Sequence, residues 1–193
     1  MVSAVLLAAG ESKRMGEFKQ LLPIAGKTFV ARSVDNLLAS RASEVVVVTG
    51  YREEDVRRAL GHRPVRFAHN PYYRLGMSES IKRGVEAVAE TARAVLIALV
   101  DQPLVEPEII DRLIEAYETH EALIVVPTSE GRNGHPVILD LSLKREILEI
   151  APDRGLRQVV QAHKSETLHV EVASRAILLD FDYPEDYERL KEL

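Results

Sequence analysis

The sequence VSAVLLAAGESKRMG, which occupies residues 2–16, joins a continuous apolar run to a turn of small and basic residues. An unbroken apolar run is typical of a strand that is covered on both faces, as in a parallel sheet. The turn around Gly10 would expose backbone N–H groups and let phosphates approach without interference from a Cβ atom. The apolar run is too short to span a bilayer, and no basic leader precedes it. The stretch therefore predicts a buried first strand followed by a candidate phosphate-binding turn.

The alternation of short apolar runs with longer amphipathic stretches continues along the chain and is typical of βαβ units around a mostly parallel sheet. Apolar runs predict further strands at 44–49, 65–68, 94–100, 123–126, 137–139, 168–172 and 177–180. Helical spacing of apolar residues predicts helices at 29–40, 53–60, 78–92, 107–117, 143–150 and 156–163, and a last helix from Pro184. A polar loop is expected at 127–136. The 193 residues show no repeat or linker, which predicts one α/β domain over residues 1–193 with helices on both faces of the sheet.

Composition narrows the classes of partner. The net charge is -5 and no segment concentrates Lys and Arg, which disfavours duplex nucleic acid because its affinity comes mostly from phosphate neutralisation. The absence of Cys excludes disulfides and thiolate metal sites and favours a reducing cytoplasm. No apolar stretch reaches transmembrane length, so no membrane partner is expected.

Candidate functional residues fall where strands are predicted to end. Ligands of open parallel sheets bind beyond the carboxyl ends of the strands, and Gly10, Asp101 and Asp182 follow the first, third and last strong strands. Arg14 can hold two phosphate oxygens and Lys19 adds a compact positive charge, so both would counter a triphosphate and its departing pyrophosphate. A glycine turn with two solvated basic residues explains the same segment equally well.

Three carboxylates suggest a metal site. Asp101 ends an apolar strand and is held by Pro103, which makes it a rigid oxygen ligand suited to Mg²⁺, although Asp is also a common turn or capping residue. Asp180 and Asp182 are two residues apart and would share a face of an extended strand. Since Mg²⁺ takes one or two carboxylates and completes its shell with phosphates and water, we expect Asp101 to act with one of this pair.

Residues 7–23, LAAGESKRMGEFKQLLP, closely resemble the signature of the MobA-like nucleotidyltransferase superfamily. The resemblance continues in order along nearly the whole chain, through Asn70, Gly76-Met77-Ser78-Glu79-Ser80, Asp101-Gln102-Pro103, Gly134-His135-Pro136 and the stretch DFDYPEDY at 180–187. This set resembles the molybdenum cofactor cytidylyltransferase branch in particular.

The resemblance implies a Rossmann-like sheet and an Mg²⁺-dependent enzyme that transfers CMP from CTP to a phosphorylated acceptor. It implies that Arg14, Lys19 and Asp101 are catalytic. It implies nucleotide contacts from Leu7, Ala8, Ala9, Gly10, Arg14, Lys19, Ser78, Asp101 and Gln102. The sequences Ala8-Ala9-Gly10 and Asp101-Gln102-Pro103 resemble the cytidine-using pattern, whereas guanylyl relatives favour Ala-Gly-Gly in the loop. By the same resemblance Asp182 is the second metal ligand and Asp180 the reserve.

The implied acceptor is molybdopterin, with or without bound molybdenum, and a molybdoenzyme client would make transient contact. The resemblance places this acceptor on Ser80, Gly134, His135 and Pro136, with a further match at 153–155. By residue type alone, Ser78 and Ser80 are also ordinary helix-start residues and His135 an ordinary loop histidine. A sugar or polyol phosphate acceptor, and a non-catalytic carrier of nucleotide or cofactor, are the alternative functions.

Overall fold

The computed structural model describes residues 1–152 and 154–190, so Asp153 of the 153–155 match lies outside the described residues. The strands are β1 Val2–Leu7, β2 Pro23–Ile24, β3 Lys27–Thr28, β4 Glu44–Thr49, β5 Arg66–His69, β6 Ala94–Leu99, β7 Ile124–Ser129, β8 Arg132–Asn133, β9 Val137–Asp140 and β10 Thr167–Glu171. The helices are α1 Phe29–Ala39, α2 Glu53–Leu60, α3 Met77–Ala87, α4 Pro107–His120, α5 Lys144–Leu148, α6 Arg157–Ala162 and α7 Pro184–Leu190. No helix among the described residues is long and apolar enough to cross a membrane.

One large sheet organises the chain in the order β10-β7-β9-β6-β1-β4-β5, with β8 paired to β7. The strands β5, β4, β1 and β6 are parallel neighbours, and β10 runs parallel to β7. Among the described residues, the antiparallel pairs of this sheet involve β9 or the short β8, and β2 and β3 form a separate antiparallel pair. The predicted α/β fold with a mostly parallel, Rossmann-like sheet is therefore confirmed.

Helices cover both faces of this sheet because successive side chains of a strand point in opposite directions. In β1, Leu6 belongs to the apolar layer that also contains Val34 of α1 and Ile110 of α4. The neighbouring Val5 belongs to the opposite layer, with Ile81 of α3. Val5 and Leu6 are both fully buried, as expected for a central strand covered on two sides.

The path of the chain opens a crevice beside β1. From β1 the chain adds β4 and then β5 on one side, and it afterwards returns to place β6 on the other side. Leu7 at the end of β1 is aligned with Val48 of β4 and with Leu99 of β6. The connections that leave β1 and β6 diverge at this switch point, which is where ligands bind in open α/β sheets.

The strand expected at 177–180 is wrong. Residues Arg175–Leu178 form a 3-10 turn, and the Ser174 side chain caps it by accepting from the N–H of Ala176. The Ile177 carbonyl accepts from the His135 N–H at 3.1 Å and from the Gln102 side chain at 3.2 Å, so it has no strand partner. Asp180 and Asp182 therefore follow a turn rather than a strand, and the shared strand face expected for them does not exist.

Two further boundaries differ from the prediction. Helix α3 ends at Ala87 rather than at 92, because Val88 is extended and the Ala89 N–H donates to the Glu44 carboxylate at 2.6 Å. Burial acts to raise the pKa of Glu44, but this bond and those from Ser3 and Arg66 lower it below its ordinary value. The polar loop expected at 127–136 is partly a hairpin, in which β7 extends to Ser129 and pairs with β8.

Candidate active site

The turn after β1 has its carbonyl groups occupied by hydrogen bonds. The Gln20 side-chain Nε2 donates to the Gly10 carbonyl at 2.8 Å and to the Ala8 carbonyl at 3.3 Å. The Tyr51 N–H donates to the Ala9 carbonyl at 3.0 Å. Three successive carbonyls are thus fixed by partners within the protein.

The N–H groups of the same turn are left for another partner. Within the described residues, the N–H groups of 9–14 have no hydrogen-bond acceptor. Ser12 has a φ of 56°, in the left-handed region, so the chain curls at this point. A curled segment with unpaired N–H groups and occupied carbonyls is an anion-binding arrangement. The turn therefore has the geometry of an anion-binding site, and the phosphate contacts expected from its glycine and small residues stay a prediction.

Gln20 holds this turn in place, and no sequence pattern marked it as a site residue. It is 1% exposed. Its Oε1 accepts from the Ser12 hydroxyl at 2.9 Å, and the same hydroxyl oxygen accepts from the Lys19 N–H at 3.3 Å. A polar residue beside Lys19 reads as a surface residue until the structure shows that its amide reaches back to the turn.

Two basic and two acidic side chains meet at the mouth of this turn. Lys19 Nζ lies 2.9 Å from Asp101 Oδ2 and 2.6 Å from Asp182 Oδ1. Arg14 Nη2 lies 2.6 Å from Asp182 Oδ2. The structure thus brings together four residues that the sequence singled out from three separate segments, at the carboxyl ends of β1 and β6 and after the last 3-10 turn.

Burial strengthens the interactions of Lys19 in this cluster. The Lys19 side chain is 11% exposed, whereas the Arg14 side chain is 62% exposed. Burial by itself lowers the pKa of Lys19, but the carboxylates of Asp101 and Asp182 outweigh it and raise that pKa above its ordinary value. Lys19 is therefore a fixed cation at neutral pH, and its charge is compensated by two acids.

The acidic pair has the chemistry of a divalent cation site. Asp101 Oδ1 is buried and has no hydrogen-bond partner among the described atoms. Asp182 supplies a second hard oxygen donor on the other side of Lys19 Nζ. The described residues hold no cluster of three or more His, Asp or Glu that could bind a metal. Two carboxylates without a third protein ligand could still hold Mg²⁺, because this ion commonly takes one or two carboxylates and completes its shell with phosphate and water oxygens.

The crevice that contains these groups is open to solvent. Its cavity volume is about 280 Å³, near the lower end of the range of small-molecule sites. The predicted site residues that line it are Leu7, Ala9, Gly10, Arg14, Lys19, Ser80, Asp101 and Asp182. Residues that line it but were not selected as site residues include Ser12, Gln20, Tyr73, Gly76 and Met77.

Three residues expected on the nucleotide do not line this crevice. Ala8 is fully buried and its N–H donates to the Val48 carbonyl. Ser78 is fully buried, and its hydroxyl donates to the carbonyls of residues 151 and 152 at 3.1 and 3.0 Å. Gln102 is 5% exposed, and its Nε2 donates to Asp180 Oδ1 at 2.6 Å. These side chains shape the surroundings of the crevice rather than its surface.

The hydrogen bond from Gln102 holds the Asp180 side chain near Asp101 and Asp182. Partial burial raises the pKa of Asp180, and the negative charges of Asp101 and Asp182 raise it further against the lowering effect of the Gln102 bond. Asp180 therefore lies close enough to Asp101 and Asp182 for their charges to act on it. Its side chain is oriented by Gln102, whereas Asp182 is oriented by Lys19 and Arg14.

Residues 134–136, which were expected to contact the acceptor, lie close to Asp180. Gly134 packs so closely on Ile177 that a Cβ atom would lie 2.3 Å from the Ile177 carbonyl oxygen, which explains the glycine. The peptide bond between His135 and Pro136 is cis. Burial lowers the pKa of His135 more than the carboxylates of Asp180 and Asp101 raise it, so the imidazole is neutral at pH 7. None of residues 134–136 lines the crevice, although Ser80 does.

Comparisons with known proteins agree with this geometry. The family described as MobA-like NTP transferase domain matches residues 4–167. Nicotine blue oxidoreductase of Paenarthrobacter nicotinovorans is 32% identical over 163 residues, covering 81% of this chain and 79% of that protein. Molybdenum cofactor cytidylyltransferase of Escherichia coli (strain K12) is 27% identical over 192 residues, covering 99% and 96% respectively. The structure of Rv0371C from Mycobacterium tuberculosis H37Rv in complex with manganese has a TM-score of 0.84 at 23% identity, covering 100% of this chain and 98% of that one.

Proposed function

Because the chain belongs to the MobA-like NTP transferase domain family, we propose that it transfers CMP from CTP to a molybdopterin-type acceptor and releases pyrophosphate. Family membership supports the nucleotidyltransferase class. The similarity to molybdenum cofactor cytidylyltransferase over 99% of the chain supports CTP and this acceptor. The observation that carries the proposal is the meeting of Arg14, Lys19, Asp101 and Asp182 beside a turn with free N–H groups.

The reaction is an in-line displacement at phosphorus. A terminal phosphate oxygen of the acceptor attacks the α-phosphorus of CTP, and the bond from that phosphorus to the bridging oxygen of the β-phosphate breaks. The attacking oxygen is already anionic, so the step needs no strong general base. Catalysis then consists of positioning the two phosphates and compensating charge, as in phosphoryl transfer generally.

The basic residues hold the triphosphate and compensate the leaving pyrophosphate. The N–H groups of 9–14 face phosphate oxygens, and their orientation is fixed because the neighbouring carbonyls are held by Gln20 and Tyr51. Arg14 is exposed at the mouth and can bind two oxygens at once, while Lys19 supplies a second positive charge. Both charges stabilise the pyrophosphate as it departs.

A divalent cation held by Asp101 and Asp182 would neutralise phosphate charge and make the α-phosphorus more electrophilic. We propose Mg²⁺ in this role. The manganese complex of a structural neighbour supports a divalent cation in this fold. Asp180 is held by Gln102 and contributes charge beside the pair rather than a ligand.

The acceptor is proposed to enter past Ser80 and the exposed Met77, which line the crevice together with Tyr73. Met77 is 54% exposed, so an apolar ring can pack on it without displacing other side chains. Residues 134–136 do not line the crevice. We propose that this loop influences the acceptor indirectly, through His135, which lies near Asp180. We propose that residues 1–193 form one catalytic unit that delivers its product to a molybdoenzyme client.

Pyrophosphate release in the presence of Mg²⁺ and a molybdopterin-type cofactor tests this function. CTP is compared with GTP, ATP and UTP at equal concentration, and selective release with CTP is the expected result. Release with CTP only when a sugar or polyol phosphate replaces the pterin would reassign the acceptor. Binding of CTP without release with any acceptor would favour a carrier. Arg14→Ala is expected to abolish release while the circular dichroism spectrum stays unchanged, and full activity of that variant would remove Arg14 from the mechanism.

A redox reaction is the second candidate, because the oxidoreductase relative is 32% identical over 81% of the chain. The test is loss of the visible absorbance of nicotine blue with a reduced nicotinamide dinucleotide as the electron donor. Turnover of the dye without pyrophosphate release would replace the proposed function. Asp101→Asn separates the two reactions further, since loss of a cation ligand should stop CMP transfer.

A further inference from the structure

Lys19 occupies the position that a divalent cation would need. Its Nζ lies 2.9 Å from Asp101 Oδ2 and 2.6 Å from Asp182 Oδ1, so the two carboxylates are bridged by one ammonium group. A cation bound by both oxygens would lie in direct contact with Nζ, and the two positive charges would repel each other in a poorly hydrated place. Lys19 and a cation shared by these carboxylates therefore exclude one another.

The charges of the cluster explain when such an exchange is favourable. Arg14 and Lys19 carry two positive charges, and Asp101 and Asp182 carry two negative charges, so the ion-paired cluster is neutral as it stands. A divalent cation added alone would leave excess positive charge. A triphosphate added alone would leave excess negative charge. When the two bind together, the cation offsets part of the triphosphate charge, the nucleotide accepts the ammonium group and the cation takes the carboxylates.

The surroundings of Lys19 allow this movement. Its ammonium group is carried on a flexible four-carbon chain, and Lys19 lines the same open crevice as Gly10 and Ser12 of the turn. The backbone is held independently, since the Lys19 N–H donates to the Ser12 hydroxyl at 3.3 Å. The side chain can therefore leave the carboxylates without movement of the 3-10 turn Lys19–Leu21.

We infer that Lys19 is a resident counter-cation, which holds Asp101 and Asp182 until a nucleotide triphosphate draws it away and so couples cation binding to nucleotide binding. This inference deepens the proposed function and shares with it the assignment of the two carboxylates as cation ligands. It is a positioning role that precedes the chemical step. If Lys19 served only to bind phosphate, removal of its charge would leave the affinity of the nucleotide-free protein for cations unchanged.

The test is titration of the nucleotide-free protein with Mn²⁺, followed by the electron paramagnetic resonance signal of the free ion. Lys19→Met keeps the aliphatic chain and removes the charge, and we expect it to bind Mn²⁺ at least about 10-fold more tightly than the wild type. Lys19→Arg keeps the charge and should bind as weakly as the wild type. Lys27→Met removes a charge from an exposed ion pair with Asp35 and is the matched control.

Further variants locate the bound ion and guard against misfolding. Adding Asp101→Asn to Lys19→Met should abolish the gain in affinity. If Lys19→Met does not fold, Lys19→Gln replaces it. A second readout is thermal unfolding, in which Mn²⁺ should raise the Tm of the charge-removed variant more than that of the wild type, because only the variant has lost the Lys19 ion pairs.

The wild-type protein provides an independent measurement. Acylation of lysines, followed by mass spectrometry, should modify Lys19 slowly relative to Lys27, whose side chain is 50% exposed. Mg²⁺ without nucleotide should leave the ratio of Lys19 to Lys27 modification unchanged, because Lys19 keeps both carboxylates until a triphosphate is present. A ratio raised by Mg²⁺ alone, or an Mn²⁺ affinity equal to the wild type in both neutral variants, overturns the inference. No nucleotide or acceptor is present, so neither result depends on whether the protein transfers CMP.

Discussion

Replacement of Gln20 by Met should weaken nucleotide binding. We expect Gln20 to act by holding the turn rather than by contacting the nucleotide. The Gln20 amide makes three hydrogen bonds, two to the carbonyls of the turn and one with the Ser12 hydroxyl. At about 1 kcal/mol each, their loss costs about 3 kcal/mol in total. Methionine has a similar length and shape, so the apolar surroundings are disturbed little.

This cost divides between stability and binding. The freed turn can relax toward solvent in the empty protein, so we expect a stability loss of about 1–2 kcal/mol, which lowers the Tm by roughly 2–8 °C for a chain of this size. The remaining cost of about 1–2 kcal/mol reduces the binding free energy, because the nucleotide must bring the turn back into place. CTP affinity should therefore fall roughly 5- to 30-fold.

Titration calorimetry with CTP and thermal unfolding measure the two parts on the same sample. Gln158→Met, an exposed glutamine on α6, is the matched control and should change neither quantity. A Gln20→Met variant with reduced Tm and CTP affinity within twofold of the wild type would refute the reasoning, because Gln20 would then stabilise the fold without orienting the turn.

Three further predictions concern the acid at the site and the packing of the sheet. Asp101→Asn should lower the rate of pyrophosphate release roughly 10²-fold or more while the Tm stays within a few degrees, and a rate near that of the wild type would contradict its role. Glu44→Gln should destabilise the protein by about 1–2 kcal/mol at pH 7 in urea unfolding. Since the folded-state pKa of Glu44 is lowered, its contribution is present above the ordinary Glu value and is lost as the pH falls through the folded pKa, so the difference between variant and wild type should shrink at acid pH. Gly84→Ala should cost about 1–3 kcal/mol, because the new Cβ would lie 2.3 Å from Val5 Cγ1, and an unchanged Tm would show that α3 can shift.

The sheet was predictable because its strands are encoded locally. The four valines of β4 and the apolar runs of β1 and β6 have no other stable environment than a doubly covered sheet, and these elements lie where the pattern predicted them. The run at 177–180 also begins with three apolar residues. It fails to form a strand because the carbonyl of Ile177 is taken by His135 and Gln102, which lie far away in the sequence.

The charged residues of the candidate site could be predicted from the sequence, whereas the residues that hold them in place could not. Residue type and position after a strand marked Lys19 and Asp101, which the structure places 2.9 Å apart. Nothing local distinguishes Gln20 from a surface glutamine, since its role depends on carbonyls ten and twelve residues earlier. The Ser78 hydroxyl donates to the carbonyls of residues 151 and 152, and the spacing of residues along the sequence does not predict these partners either.

The ion pair of Lys19 with Asp182 joins residues separated by 163 positions. Because synthesis proceeds from the N-terminus, the basic turn leaves the ribosome long before its second acidic partner exists. A nascent chain that has completed β6 can pair Lys19 with Asp101, but Arg14 has no carboxylate until residue 182 is translated and folded back. The proposed cation site is thus completed only after residue 182 has been synthesised, and premature termination before that codon would yield chains that have a nearly complete sheet but lack the Asp182 carboxylate.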